Sequence, residues 1–335
     1  MKAVKIAAPG GFDKLNLVDI QDAGEPGPGE IRVKLHATSL NFHDLIVCSG
    51  QSKPEDGRIP MSDGAGVVEA VGEGVTEFAK GDNVVSTFFP QWLAGPARVS
   101  DFSGTPGDGI DGYAREAVTA KATSFTKSPA GWSHAQAATI TTAGLTAWRA
   151  LVVDGGLKAG DTVLTLGTGG VSIFAIQIAK MMGAEVVATS SSDEKLERVK
   201  TLGADHVINY KSDEKWGSTV MKLTGGRGAD QVVEVGGAGT LGQSIRAVKV
   251  GGHIALIGVL TGVSGDVPTA LLMQKQASVG GLIVGSRADQ EDFVRAIEHG
   301  GLEPVIDSSF GLDELGDAFR HQQNGAHFGK IVAEW

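Results

Sequence analysis

The sequence predicts a two-part α/β protein, a β-rich domain interrupted by an inserted domain built on a doubly wound parallel sheet. Three observations carry that expectation. The first third alternates apolar and polar residues between turns marked by glycine and proline, as half-buried strands do. From about residue 133 short apolar runs alternate with helical segments, the pattern of βα units. Between one such run and the next helix lies Gly167-Thr168-Gly169-Gly170-Val171-Ser172, a turn of the kind that brings backbone N–H groups to a phosphate.

Composition agrees with this reading. Of 335 residues, 41% are apolar and 20% charged, the balance of a soluble globular chain with enough length for two cores. Twenty-nine basic residues against 39 acidic ones leave a formal charge of −10. That argues against a nucleic-acid or membrane-surface binder, which needs a basic face, but leaves room for a local basic pocket. Glycine numbers 49 and proline 11, which points to tight turns and close backbone contacts rather than disorder. One cysteine, Cys48, excludes an intramolecular disulfide and any multi-cysteine metal centre. The first residues form no apolar leader, and no run approaches the ~18 apolar residues of a membrane span, so the expected compartment is cytoplasmic.

The elements follow in order. Residues 31–37 alternate as a strand after the turn-like Pro26-Gly27-Pro28-Gly29. Residues 64–72 form another strand bounded by glycine, and Gly81-Asp82 turns into a third that ends near Ser86. Residues 90–112, rich in Gly, Pro, Asp and Ser, read as a long surface loop, a length that is often functional. Ser133 stands where it can cap an alanine-rich helix running to Trp148, interrupted near Gly144. Thr162–Leu166 and residues 185–189 read as buried strands, each followed by a helix, over 173–182 and 193–202. Three more apolar runs, at 206–208, 231–235 and 253–257, continue the alternation, and residues 330–333 close the chain as a strand. No fixed-period repeat is present. The expected domains are residues 1–130 with 286–335, and residues 131–285.

In the glycine-rich turn, Gly167 makes the tight bend and Gly169 lets backbone approach a pyrophosphate. Gly170 and Val171 complete the turn, and the helix that starts near Ile173 offers its N-terminus to that anion. Ser172 replaces the usual third glycine, and an ordinary βα turn is the bland alternative. The following strand ends at Ser190-Ser191-Ser192, where an NAD enzyme usually carries an acid for the ribose hydroxyls, about twenty residues past the first glycine. With hydroxyls there and Lys195 within reach, a 2′-phosphate meets no repelling carboxylate. NADPH is therefore the expected coenzyme, with NADH the alternative. Lys195 can equally be a solvated residue behind Asp193 and Glu194, two acids suited to a helix start.

Several phrases also resemble a known family. Residues 66–84, containing Val-Gly-Glu-Gly-Val and Lys-Gly-Asp-Asn-Val, are similar to the medium-chain dehydrogenase/reductase superfamily. So are Thr142-Ala143-Gly144-Leu145-Thr146-Ala147-Trp148, the Gly167 turn, and Leu202-Gly203-Ala204-Asp205-His206-Val207-Ile208-Asn209-Tyr210. The resemblance runs nearly end to end and is nearest to the zinc-independent, quinone oxidoreductase-like branch. It implies a GroES-like substrate domain drawn from both chain ends, a Rossmann domain between them, and a homodimer or homotetramer. It counts Thr142 and Thr146 among coenzyme-binding positions. Lys195 and Tyr210 resemble the contacts of quinone oxidoreductases to the NADPH phosphate. Gly236 and Gly258 are expected to face the coenzyme at the carboxyl edge of the sheet. Ile283 and Val284 resemble the segment beside the nicotinamide that forms the last strand, often across a dimer. Lys330, in His327-Phe328-Gly329-Lys330, resembles a terminal motif near the coenzyme, or is a solvated lysine at a strand start.

Departures from the zinc alcohol dehydrogenases point to the chemistry. By the resemblance, Asn41 falls where those enzymes carry a cysteine ligand, Met61-Ser62-Asp63 where they carry Gly-His-Glu, and Thr142 on the third ligand position. A catalytic zinc takes about three ligands from Cys, His or carboxylate, so no zinc is expected. Without that Lewis acid, hydride transfer to a quinone or an α,β-unsaturated carbonyl asks only for hydrogen-bond donors and a proton. Asn41 is the first candidate to hold the substrate carbonyl through its amide, with loop capping as the alternative. His43 falls on a proton-relay position and can serve as an acid, or it contacts phosphate or solvent. Asp44 orients its neighbours. Phe88, Phe89 and Trp92 either wall a flat pocket or simply belong to the core. The expected activity is that of a zinc-independent NADPH-dependent reductase of quinones or α,β-unsaturated carbonyls. A metal-free alcohol dehydrogenase and a non-catalytic NADPH-binding sensor are the alternatives.

Overall fold

The computed structural model describes residues 1–99 and 101–335. It contains two compact units, one formed by Met1–Leu145 with Val284–Trp335, the other by Thr146–Ile283.

The first unit opens with an antiparallel pair, β1 (Lys2–Ile6) and β2 (Leu15–Asp19). β3 (Glu30–Ser39) is its longest strand, and Ile31, Val33, Leu35 and Ala37 all face inward with more exposed residues between them, as a period of two requires. A short helix, α1 (Phe42–Cys48), follows. Then come β4 (Ala65–Val71), β5 (Asn83–Ser86), β6 (Ala117–Lys121), β7 (Phe125–Lys127) and α2 (His134–Ala138). The predicted helix from Ser133 to Trp148 is one segment in outline but not in geometry. Ser133 caps α2 with Gln136 as its capping-box partner, and a π-turn over Ile140–Gly144 then widens the helix before α3 (Leu145–Trp148). A second π-turn covers Arg149–Val153. The first widening is visible in the bond from Gly144 N–H to the Thr139 carbonyl, five residues back. Such insertions recur at functional sites.

The second unit is the predicted parallel sheet. It runs through β8 (Thr162–Leu166), α4 (Gly170–Met181), β9 (Glu185–Ser190), α5 (Asp193–Thr201), β10 (His206–Asn209), α6 (Trp216–Leu223), β11 (Ala229–Glu234), α7 (Leu241–Ala247), β12 (Val248–Leu256), α8 (Thr269–Lys275) and β13 (Ser278–Gly281). Spatial order is β10-β9-β8-β11-β12-β13, every neighbouring pair parallel. β8 and β11 are buried along their whole length, although β11 carries Asp230, Gln231 and Glu234 around its apolar Val232 and Val233. The last strand ends at Gly281, so Ile283 and Val284 lie beyond it rather than in it. Val284 takes a left-handed φ of 47°, which an extended strand residue cannot.

The chain then returns to the first unit with α9 (Arg287–Gly300), β14 (Ile306–Gly311), α10 (Leu315–Gln323) and β15 (Lys330–Glu334). The larger sheet there has the order β14-β15-β3-β4-β5-β7, with β6 also on β3. β15 pairs antiparallel with the end of β3, matching Val332 to Ser39. Residues near the two chain ends therefore meet beside the start of α1. Among the described residues of 90–112 there is no helix or strand, as expected, but the segment is not wholly a surface loop. Trp92, Thr105, Pro106, Gly107 and Gly112 are buried. Gly107 and Gly112 lie so close to the backbone of Met61 that a Cβ would stand 2.7 and 2.3 Å from it. Among the described residues no helix is long and apolar enough to cross a membrane.

Candidate active site

In the first unit, the segments around Asn41, Ser62 and Thr142 converge on one buried polar cluster whose centre is Asp63. This carboxylate is fully buried. Its Oδ2 accepts hydrogen bonds from Ser39 Oγ at 2.5 Å and Asn41 Nδ2 at 2.8 Å. Its Oδ1 accepts one from Thr142 Oγ1 at 2.6 Å. The first π-turn carries Thr142 to this position, and Met61, held at φ 80° under Gly107 and Gly112, sets the approach to Ser62 and Asp63. A non-glycine residue persists in that conformation only where its surroundings enforce it.

Asn41 precedes α1 in an extended conformation and acts as its N-cap residue. The Asp44 carboxylate reaches back to the Asn41 N–H at 3.1 Å, accepts from its side-chain amide at 2.9 Å, and accepts from the Ser62 N–H at 2.8 Å. The Asn41 amide also donates to the Ser39 carbonyl, and its Oδ1 accepts from Lys330. Both faces of the amide are thus engaged inside the protein. This corrects the expectation that Asn41 offers a free donor to a substrate carbonyl, because capping and the buried carboxylates have taken its N–H groups. Asp44 orients its neighbours, as read from the sequence.

Of the two readings of Lys330, the solvated one is removed. It begins a strand but is only 3% exposed, so it is no solvated lysine. Its ammonium donates to the Leu40 carbonyl at 2.6 Å and to Asn41, and lies 4.0 Å from Asp63 Oδ2. Burial lowers its pKa against the pull of Asp63 and Asp44. Burial likewise pushes Asp63 up to about 6, with Asp44 adding to the rise while Lys330, Asn41 and Ser39 oppose it. Two buried carboxylates thus share a single buried ammonium. Asp63 was not singled out in the sequence, since its only local mark is its place after Ser62.

His43 projects from α1 into a group of rings. Its imidazole is 4.4 Å from Phe102 and 5.4 Å from Phe88, centre to centre, and its Nε2 is 3.3 Å from the Asp108 carboxylate. Phe88, Phe89 and Trp92 are buried; Phe89 meets Phe88 edge-on, lies at a tilt to Trp92 and stacks on Phe102. Phe102 belongs to the 90–112 segment and was not picked out from the sequence.

In the second unit, β8 ends at Leu166 and α4 starts at Gly170, so the glycine-rich turn itself supplies the first helical residues. Gly167 has φ 75°, which favours glycine. A Cβ added at Gly167 or Gly169 would meet nothing within 4 Å, so the space above the turn is open. Ser172 Oγ donates to the Leu166 carbonyl at 2.6 Å, which closes the turn where the third glycine usually sits. Gly170 and Val171 form the partly exposed start of a twelve-residue helix, a suitable anion cradle. A coenzyme pyrophosphate fits this arrangement.

At the end of β9, Ser190 is buried and its Oγ accepts the Ser192 N–H, while Ser191 is partly exposed. Ser192 caps α5 by accepting the Lys195 N–H. The nearest acid, Asp193, accepts a bond from the Asn209 amide at 2.7 Å. Tyr210, partly exposed, is tied by its N–H to the Ser190 carbonyl. Gly236 and Gly258 follow β11 and β12 as expected, but the protein's own packing excludes side chains there. Added Cβ atoms would come within 2.2 Å of Thr240 and 2.1 Å of the Val235 carbonyl. The turn after β11 is organised by Glu234, another residue sequence reasoning missed. Its buried carboxylate accepts from the N–H groups of Gly236 and Gly237 at 2.8 and 3.0 Å, from Thr240 Oγ1 at 2.6 Å, and from Ser244. Thr146 is buried on α3, Ile283 is 45% exposed, and Val284 is buried.

Comparison with known proteins agrees with this architecture. Residues 27–130 match the alcohol dehydrogenase GroES-like domain and residues 170–299 the zinc-binding dehydrogenase domain. The chain belongs to the medium-chain dehydrogenase/reductase superfamily and is an oxidoreductase of that class. A zinc-type alcohol dehydrogenase-like protein of Schizosaccharomyces pombe is 40% identical, over 96% of this chain and 95% of its own. A solved NAD-dependent alcohol dehydrogenase superposes with a TM-score of 0.90 at 36% identity, covering all of both chains. A mycobacterial protein solved with NADPH superposes with a TM-score of 0.82 at 29% identity, also covering all of both.

Proposed function

We propose that this protein is a zinc-independent, NADPH-preferring reductase that transfers hydride to a quinone or an α,β-unsaturated carbonyl. The observation that carries the proposal is the buried cluster of Asn41, Asp44, Asp63 and Lys330. The positions that resemble zinc ligands are Asn41, Ser62 and Thr142, and an amide and two hydroxyls do not form a catalytic zinc set. The Asn41 oxygen already accepts from the Lys330 ammonium, a cation that opposes a second one nearby. Among the described residues no group of three His, Cys, Asp or Glu side chains is arranged to hold a metal.

When bound, the nicotinamide coenzyme supplies the hydride. Gly167, Gly169, Gly170 and Val171 would receive its pyrophosphate. Ser190, Ser191, Lys195 and Tyr210 would surround the adenosine ribose, where the absence of a strand-end acid favours a 2′-phosphate. The mycobacterial structure solved with NADPH supports that preference. Glu234 would hold the Gly236–Gly237 turn beside the coenzyme. A reading as a metal-free alcohol dehydrogenase using NAD has one specific support, the likeness to the NAD-dependent alcohol dehydrogenase.

Self-association as a homodimer belongs to the same proposal. β13 is an edge strand, and Val259, Leu260, Val263, Val267 and Met273 are exposed apolar residues in the preceding segment, a pattern that invites a partner. The single thiol, buried Cys48, is in keeping with a cytoplasmic setting.

The test is coenzyme oxidation by chelator-treated protein against quinones, enones, aldehydes and alcohols, with NADPH and then NADH. Quinone or enone turnover that prefers NADPH is expected. Turnover confined to alcohols with NAD would replace the proposal with its alternative.

A further inference from the structure

Among the described residues, one side-chain donor to the Asp63 carboxylate is not buried. Asp63, Asp44, Asn41, Ser39 and Lys330 are all buried, whereas Thr142, whose hydroxyl donates to Asp63 Oδ1, is partly exposed. Ser62 Oγ stands 3.4 Å from the same hydroxyl but is itself wholly buried. Every other donor to the Asp63 carboxylate comes from inside the cluster. Thr142 is thus the partly exposed partner of the buried Asp63 carboxylate.

We propose that Thr142 is the catalytic proton donor of this enzyme, passing to the reduced substrate a proton stored on Asp63. The inference rests on the reductase reading above. As hydride from the nicotinamide coenzyme arrives at the β-carbon of an enone, electron density moves to the carbonyl oxygen. That oxygen takes the Thr142 hydroxyl proton, and a new O–H bond forms as the old one breaks. The threonine oxygen is reprotonated by the Asp63 carboxylic acid, which becomes a carboxylate beside Lys330. Solvent then returns one proton to Asp63 through Thr142. One hydride and one proton are consumed per product, so the step balances.

The arrangement suits such a store. The charged groups near Asp63 are Lys330 from β15 and Asp44 from α1. The ammonium stabilises the carboxylate left after transfer, while the second carboxylate and burial favour its reprotonation. A general acid works best with its pKa near the operating pH, and Asp63 lies far closer to neutrality than an ordinary aspartate. Asp63 acts through Thr142 and is a positioning and storage residue, not one that touches substrate.

The experiment compares wild type, Thr142→Val, Thr142→Ser and Asp63→Asn on whichever panel substrate turns over, in H2O and D2O. Thr142→Val is expected to lower kcat by ~10²-fold or more, the range of general-acid contributions. Thr142→Ser, which restores the hydroxyl, should recover most of the rate. An infrared pH-difference spectrum of the coenzyme-free protein should show a carboxylic-acid band titrating near pH 6, altered in Thr142→Val and absent in Asp63→Asn. Wild-type kcat and solvent isotope effect in Thr142→Val would overturn the proposal, as would equal loss in the valine and serine variants. If only aldehydes or alcohols turn over, the substrate class falls and these variants still decide the relay. If nothing turns over, the relay falls together with the reading beneath it.

Discussion

Lys330 and Asp63 are held 4.0 Å apart with Asn41 between them, accepting from the ammonium through Oδ1 and donating to the carboxylate through Nδ2. The ion pair is bridged rather than direct. That geometry keeps the cation near both buried acids and keeps Asp63 Oδ1 available to Thr142.

Removing the cation should be costly. Lys330→Met leaves Asp44 and Asp63 buried without their ammonium, and is expected to destabilise the fold by ~3–5 kcal/mol, the usual effect of breaking a buried pair. Adding Asp63→Asn to it should recover part of that loss. Denaturant unfolding of the single and double variants measures both quantities. A loss for Lys330→Met below about 0.5 kcal/mol, the usual size for a surface substitution, contradicts the role given to the pair.

The pH dependence of stability has a definite sign. The folded-state pKa of Asp63, about 6, lies above its ordinary value of 3.8, so the folded protein keeps a proton that the unfolded chain releases. The contribution of Asp63 to stability is therefore greatest below about pH 4 and falls as pH rises through 6. The stability difference between wild type and Asp63→Asn should move against wild type by about 3 kcal/mol between pH 4 and 7. A flat or opposite trend in unfolding free energy contradicts the assignment.

Coenzyme choice should turn on the end of β9. Ser190→Asp places a carboxylate where the proposed 2′-phosphate lies, and like charges there are worth roughly 1–3 kcal/mol, or ~10–100-fold in kcat/KM for NADPH. NADH should lose much less or gain. Steady-state kinetics with both coenzymes check this, and an unchanged ratio counts against the phosphate site.

Glu234→Gln should loosen the turn after β11. One amide face must then meet donors from Gly236, Gly237 and Thr240, or from Ser244, instead of a carboxylate. A loss of ~1–3 kcal/mol is expected for buried groups left without acceptors, with faster hydrogen exchange at Gly236 and Gly237. Exchange as slow as in wild type argues that Glu234 does not hold the turn.

What the sequence made legible was mostly local. The alternation along β3 and the largely apolar run of β8 depend on which faces are buried, and periodicity reports that directly. The glycine-rich turn was readable because strand, turn and helix are consecutive, although α4 begins at Gly170, three residues earlier than the apolar pattern alone suggested. The cluster around Asp63 was harder to see. Asn41, Asp63, Thr142 and Lys330 are distant in sequence and meet only because β15 pairs with β3 and a π-turn widens the helix after α2. The amide of Asn41 was recognised as important, but its partners were not, so a donor already engaged was read as a free one. Ile283 and Val284 were carried over by resemblance, and the strand proved to end before them, where Val284 turns to positive φ.

The most direct test of the account is elemental analysis of the purified protein beside its NADPH-driven turnover of a quinone or enone. The account predicts substoichiometric zinc, activity that survives exhaustive chelation, and no stimulation by added zinc. Activity that tracks zinc content, lost with the chelator and restored by the metal, would contradict it.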